Sequence, residues 1–345
     1  MNSAIRRCSS GRGSDRRIGR LAGAGLAIAA VVTASLATAA ATPAGPATAP
    51  NDHPLPGTHC LAFPADNVWH ASIRNLPVDK HSAQWVSAIG RHVDLHPDFG
   101  PSYGAQPVPY GIPITYVGGG HAKVKVHFLY NSESDHVRYP LGNDTKIEGG
   151  RNASGDRHAI IVDKATCRLY ETWDTRHTRK GWTAGSGASW LLSSNKLRPA
   201  GWTSADAAGL PILPGLLRAG EVRAGHVDHA IRFTAPVTAE RYLWPARHEA
   251  GSTGKQSVPP MGARFRLKAS FPIAGYSRDT RVVLRAMKTY GLILADNGSP
   301  WYFQGEASTR WSSTMIEQLK TIPANAFQAV DESSLEISPG SARAR

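Results

Sequence analysis

The chain has 345 residues, with 39 Lys and Arg against 26 Asp and Glu for a net charge of +13, and 41% of it is apolar. That apolar share excludes a disordered chain, and beyond residue 50 no stretch approaches the eighteen apolar residues of a membrane span, which excludes a multi-span helical membrane protein. The charge is unevenly spread. Residues 1–50 hold six arginines, one acidic residue (Asp15) and no aromatic, leaving 33 basic and 25 acidic residues in the remainder, a balance of about +8. Such a balance can steer a polyanion, but no Lys/Arg-rich run of nucleic-acid type occurs in that remainder, so no nucleic-acid partner is expected.

In chain order, residues 1–41 read as a secretory signal: Arg16-Arg17, then an Ala/Gly/Leu/Val run from Leu21 to Ala41, with Ala37-Thr38-Ala39 offering small residues to a peptidase. The paired arginines suit a twin-arginine route, although Asp15, Gly19 and Arg20 fit its consensus poorly. Residues 42–56 are a flexible Ala/Pro/Thr/Gly lead-in, residues 57–331 are expected as a single β-rich domain, and residues 332–345 as a disordered tail. After signal cleavage no stable membrane span remains, and the location expected is extracellular. Cys60 and Cys167 are the cysteines that stay, an even pair suited to an oxidising compartment and expected as a disulfide.

Within the domain strand signals dominate. The run from Ala122 to Tyr130 alternates, with Val124, Val126 and Phe128 on one face. Further strands are expected over 110–117, 158–163, 168–173, 229–234, 241–244 and 264–271, and a hairpin over 292–303 turning at Asn297-Gly298. Three helices are expected: 82–92; 277–290, stopped by Gly291; and 312–319. Short strands between Gly/Pro turns with peripheral helices point to a mainly β, β-sandwich or jelly-roll-like single domain.

No Walker loop and no Gly-x-Gly-x-x-Gly follows a strand, so no cofactor is expected. Ser186 in Ala184-Gly-Ser-Gly-Ala188 only caricatures a nucleophile elbow. If Asp163 pairs with Arg168 across a four-residue turn, Glu171 faces Ile160 and lies diagonally beside His158 on one face; a two-residue turn sets the two directly opposite, and a three-residue turn puts them on opposite faces. In the first two registers a carboxylate and an imidazole can exchange a proton, and Asp156 can join them. The plainer alternative is an exposed Glu–His pair on a solvated sheet. His92, Asp94, His96 and Asp98 alternate as metal ligands do, but Pro97 and Gly100 favour a turn; of His226-Val-Asp-His229, His226 and Asp228 share a face with His229 opposite. No ligand spacing is strong by itself, so no metal is expected. Trp182 and Trp202 lie in a Gly/Ser-rich segment able to display them to a sugar ring, and Arg247, His248 and Arg264 can receive an acidic group.

The segments Ala65-Asp-Asn-Val-Trp69, His96-Pro-Asp-Phe-Gly100, Asp156-Arg-His158, Ala200-Gly-Trp-Thr-Ser-Ala-Asp-Ala-Ala-Gly-Leu-Pro211, Trp244-Pro-Ala-Arg-His248 and Leu294-Ala-Asp-Asn-Gly298 together resemble a group of secreted bacterial proteins of actinobacterial type. The resemblance implies one domain and export; it assigns no activity and no catalytic residue. The function expected from the residues is a carbohydrate-active enzyme cleaving an extracellular polysaccharide by acid/base chemistry, with hydrolysis favoured over elimination and the basic balance tilting toward an acidic substrate. Hydrolysis would use Glu171 with Asp156 or Asp206. Elimination would use His158 or His229 as base, with Arg247 or Arg264 neutralising a uronate. The alternative is a non-catalytic wall- or glycan-binding protein.

Overall fold

A computed structural model describes residues 53–102 and 108–345, so the signal expected over 1–41 and most of the lead-in lie outside the described residues. The described strands are β1 (His96–Asp98), β2 (Ile114–Val117), β3 (Val126–Phe128), β4 (Ala159–Asp163), β5 (Arg168–Trp173), β6 (Arg176–Thr178), β7 (Gly181–Ala184), β8 (Ser186–Leu191), β9 (Ile231–Ala235), β10 (Ala239–Tyr242), β11 (Pro260–Met261), β12 (Arg264–Leu267), β13 (Leu292–Asn297), β14 (Tyr302–Gln304) and β15 (Phe327–Val330). The helices are α1 (Ser82–Ile89), α2 (Ala219–Ala224), α3 (Arg278–Thr289) and α4 (Ser313–Leu319). The chain is mainly β, and residues 48–345 form one compact unit.

Two sheets hold most of these strands. The larger runs β1-β14-β9-β13-β12-β15 and mixes parallel with antiparallel pairs; the smaller runs β2-β4-β5-β8. The smaller sheet is covered on both faces. Ala159, Ile161 and Tyr170 pack with Val126, Trp182 and Ala184 of the three-stranded sheet β3-β7-β6, while Ile160, Val162 and Leu169 pack under Ile212, Leu213 and Leu216. The largest core lies at the six-stranded sheet, where Phe233, Phe265 and Trp301 meet at ring distances of 5.3–5.4 Å.

The helix signals act as expected at α3. Ser277 caps it by accepting from the Thr280 backbone N–H, and Gly291 stops the chain with φ +75°, where a Cβ would stand 2.3 Å from the Phe265 carbonyl oxygen. Ser82 differs: its hydroxyl accepts from Ala329 N–H instead of capping α1, tying the helix to β15. The nine-residue alternation from Ala122 yields only the three-residue β3.

Two expectations are corrected. Asn297-Gly298 does not close a hairpin: β9 lies between β13 and β14, parallel to the first and antiparallel to the second. The all-buried run Ile231–Ala235 needs partners on both edges, and the longer connection lets Trp301 turn inward and stack on Phe233. The segment 332–345 is not frayed. Leu335, Ala342 and Ala344 join the main core, Arg343 bridges Asn67, Ser341 bridges Lys196, and the Trp244 indole N–H donates to the Ser341 carbonyl.

Cys60 and Cys167 are joined, with Cα atoms 5.3 Å apart and a sequence separation of 107. The bond pins the segment entering the domain to the β4–β5 turn. Replacing both with serine should lower the unfolding free energy by roughly 4–5 kcal/mol in the chain-entropy account, read from urea denaturation. Reduced wild type should match the variant, and a loss near zero would mean the loop is already constrained when unfolded.

Candidate functional site

Strand β9 alternates between two environments. Ile231, Phe233 and Ala235 enter the apolar core, which directs Arg232 and Thr234 to the opposite face. Registers Asp98↔Gln304, Phe303↔Phe233 and Asp296↔Thr234 place Asp98, Gln304, Arg232 and Asp296 on that same face. Arg232 is only 2% exposed. Its Nε and Nη2 donate to the two oxygens of Asp206 at 3.1 and 2.8 Å, and Asp296 stands 3.6 Å from Nη2. Burial works against the guanidinium's charge, but the Asp206 carboxylate overrides it and raises the Arg232 pKa.

A second buried pair lies beside this one. His158 Nδ1 is 2.6 Å from Glu148 Oε2, and its Nε2 faces the Ala205 carbonyl at 3.1 Å. With acceptors on both ring nitrogens, only the imidazolium satisfies both. Burial opposes that charge, the Glu148 carboxylate overrides burial, and the His158 pKa rises to about 9. Glu148 falls below the usual carboxylate range because the His158 charge outweighs its own burial.

Glu171 pairs opposite Ile160, and Asp163 opposite Arg168, in the four-residue-turn register. It therefore shares the sheet face of His158, but it does not reach a cleft. Its two oxygens accept from the backbone N–H groups of Ile212 and Leu213, both at 2.8 Å, and none of its surface is exposed. Burial pushes its pKa up to about 7 against those two bonds. The side chain anchors the 212–216 segment over the smaller sheet.

Beside these pairs lies a cleft of about 270 Å³ whose wall includes Tyr130, Glu133, Asp156, Trp173, Asp206, His248 and Asp296. Asp296 closes the apolar run Leu292–Ala295 and keeps 26% of its side chain exposed. Burial, then the neighbouring Asp206 charge, push its pKa up to about 8. Asp156 sits on a loop held from beneath by Arg157, whose backbone is left-handed at φ 50° and whose guanidinium donates to the carbonyls of Thr175, Gly150, Ala153 and Arg151. The Trp173 indole N–H donates to Asp156 at 3.3 Å, and Tyr130 flanks the indole at 6.2 Å between ring centroids. Trp173 lies so close to Gly185 that a Cβ there would overlap its ring at 2.0 Å. Also lining the cleft, His248 donates from Nδ1 to the Ala207 carbonyl, and Glu133 accepts from Thr203 N–H.

The structure thus brings Asp156, Asp206 and His248 together and separates the other expected residues. His229 is buried elsewhere, 3.0 Å from Glu221. Arg264 is wholly buried and bound to the carbonyls of Tyr290, Val68 and Ala71 and to Glu332, so it cannot receive a ligand. Arg247 is likewise occupied by the Arg198 and Pro339 carbonyls. Trp182 packs in the small core, and Trp202 lies under the Arg198 guanidinium on a separate cavity. The Ser186 hydroxyl donates to the Ser204 carbonyl rather than to a base. His92, Asp94, His96 and Asp98 form no ligand cluster among the described residues. Asp296, Glu133, Trp173 and Tyr130 are site residues that sequence reasoning misses; the signal for Asp296 is a carboxylate ending a buried strand. Asp98 and Glu148 line a larger cavity of about 960 Å³.

The buried charges make stability depend on pH. The folded protein keeps the His158 proton to about pH 9 and the unfolded chain releases it near 6.5, so the pair's stabilisation is complete below pH 6.5 and is lost as pH rises toward 9. Asp296, raised from 3.8 to about 8, adds loss in the same direction. Melting temperature should fall across that window, and the fall should be shallower in Glu148→Gln. Arg232→Met should destabilise by roughly 3–5 kcal/mol by stranding buried carboxylates, and a second change, Asp206→Leu, should restore most of it in urea melts. No protein-family model, curated protein or solved structure matches the chain, so the reading of this cleft rests on its own geometry.

Proposed function

We propose that the protein is a secreted glycoside hydrolase acting on an extracellular glycan at the Asp156–Asp296 cleft. The observation that carries this reading is a pair of carboxyl groups lining one cleft in unlike surroundings, Asp156 exposed and Asp296 largely buried beside Asp206, where burial and that neighbouring charge raise the Asp296 pKa. Two carboxyl groups in environments of opposite kind are what acid-assisted glycoside cleavage requires. Asp296 donates its proton to the departing glycosidic oxygen. Asp156 serves the opposite face of the sugar, as base toward water or as nucleophile at the anomeric carbon. Trp173 and Tyr130 offer a face for sugar C–H groups, and His248 and Glu133 offer hydrogen bonds to hydroxyls.

The surroundings favour hydrolysis of a neutral sugar over elimination from a uronate. Glu133 and Asp156 would repel a substrate carboxylate, while Arg247 and Arg264 are bound internally. The disulfide is compatible with an extracellular setting.

Incubated with neutral and acidic polysaccharides, the protein should release reducing ends from a neutral glycan without ultraviolet absorbance of unsaturated uronates, with kcat/KM falling above about pH 8 as Asp296 ionises. Asp296→Asn should lower kcat by roughly 10²–10⁴-fold with little change in KM, whereas Trp173→Ala should chiefly raise KM. Binding of glycan with no bond cleaved would instead make it a glycan-binding protein, and unsaturated products would make it a lyase.

A further inference from the structure

On a different part of the domain, the segment entering it meets the loop between α2 and β9. There His53, His226 and Asp228 offer one ligand atom each, and those atoms all lie within 4.8 Å of one another. We propose that these three residues bind a divalent transition metal of borderline softness, with Zn²⁺ as the representative ion. Two imidazoles and one carboxylate are the ligand set such ions take, whereas Ca²⁺ and Mg²⁺ prefer oxygens throughout. The one other such cluster among the described residues, His59 with Cys60 and Cys167, has its sulfurs joined to each other.

The surroundings match a three-ligand site with an open position. The residues line a cavity of about 210 Å³, which leaves room for water or a small ligand on the ion. His70 and His229 share that cavity but do not compete. His70 faces the Asp228 and Ala62 carbonyls, and so fixes the Asp228 backbone, while His229 faces Glu221 and the Ala230 carbonyl. Arg218, the cation on the same wall, is 2.6 Å from Glu221, so its charge is offset before an ion arrives. His226 Nδ1 stands 3.3 Å from Asp228 Oδ2, a separation two ligands of one ion can have. The His53 and His226 rings are stacked, 3.8 Å apart and 23° from parallel. Rings so nearly parallel cannot both aim a lone pair at one ion, so metal binding must open the stack.

The test uses untagged protein stripped with a chelator and dialysed, titrated calorimetrically with Zn²⁺, with Co²⁺ as an optical probe. One equivalent of Zn²⁺ should bind, Co²⁺ should give visible d–d bands, and Ca²⁺ or Mg²⁺ should bind at least a hundredfold more weakly, on the order of what nitrogen ligands confer. His226→Ala and Asp228→Ala, each checked for a native melting profile, should each weaken Zn²⁺ binding on the order of a hundredfold, and His53→Ala should do so without touching the α2–β9 loop. Unchanged binding in all three variants would place the ion elsewhere and overturn the proposal, as would absence of Zn²⁺ binding in wild type. Neither result bears on the glycan cleft, whose residues are not among the ligands.

Discussion

A guanidinium sealed between β layers constrains everything around it. Arg232 lies on β9 in the middle of the six-stranded sheet, and an isolated charge there would cost several kcal/mol in lost hydration. The sequence around it therefore supplies anions from separate elements: Asp206 from the 204–210 loop, Asp296 from the end of β13, and at longer range Glu148. There are more carboxylates than one cation can neutralise. The surplus is met by a second cation, the His158 imidazolium, and by a rise in the pKa of Asp296, which burial and the Asp206 charge make harder to ionise. A group with catalytic potential thus arises from the way this site balances charge.

Much of the domain is legible from local pattern. The β4–β5 hairpin, the cap and stop of α3 and the Cys60–Cys167 pairing each depend on residues close in sequence or on the parity of two cysteines, whereas the hairpin's register is decided among three turn lengths only by the fold. What pattern cannot supply is competition among strands. Asn297-Gly298 is a strong turn signal, but nothing local says that Ile231–Ala235 will insert between the two runs it separates. The 332–345 segment reads as frayed because its composition is Ser, Pro, Gly, Ala and Arg, whereas its order comes from partners nearly 280 residues away, such as Asn67.

The candidate site shows the same division. Asp156, Asp206 and His248 stand out in the sequence as chemically capable and do line one cleft. Glu171 stands out on equally good grounds, having the right residue type, strand and face. It fails to reach a cleft because residues 212 and 213 turn their backbone N–H groups toward it, and orphan donors in a buried turn claim the nearest carboxylate. Arg247 and Arg264 are lost to carbonyl groups in the same way. For these side chains the deciding question is which buried backbone groups lack a partner, and answering it requires the tertiary structure.

The bridge between Asn67 and Arg343, with Ala342 accepting from Val68 N–H, has a bearing on biogenesis. Asn67 and Val68 emerge early from the ribosome, yet their partners Arg343 and Ala342 follow some 270 residues later, so this closure forms only once nearly the whole domain has been synthesised.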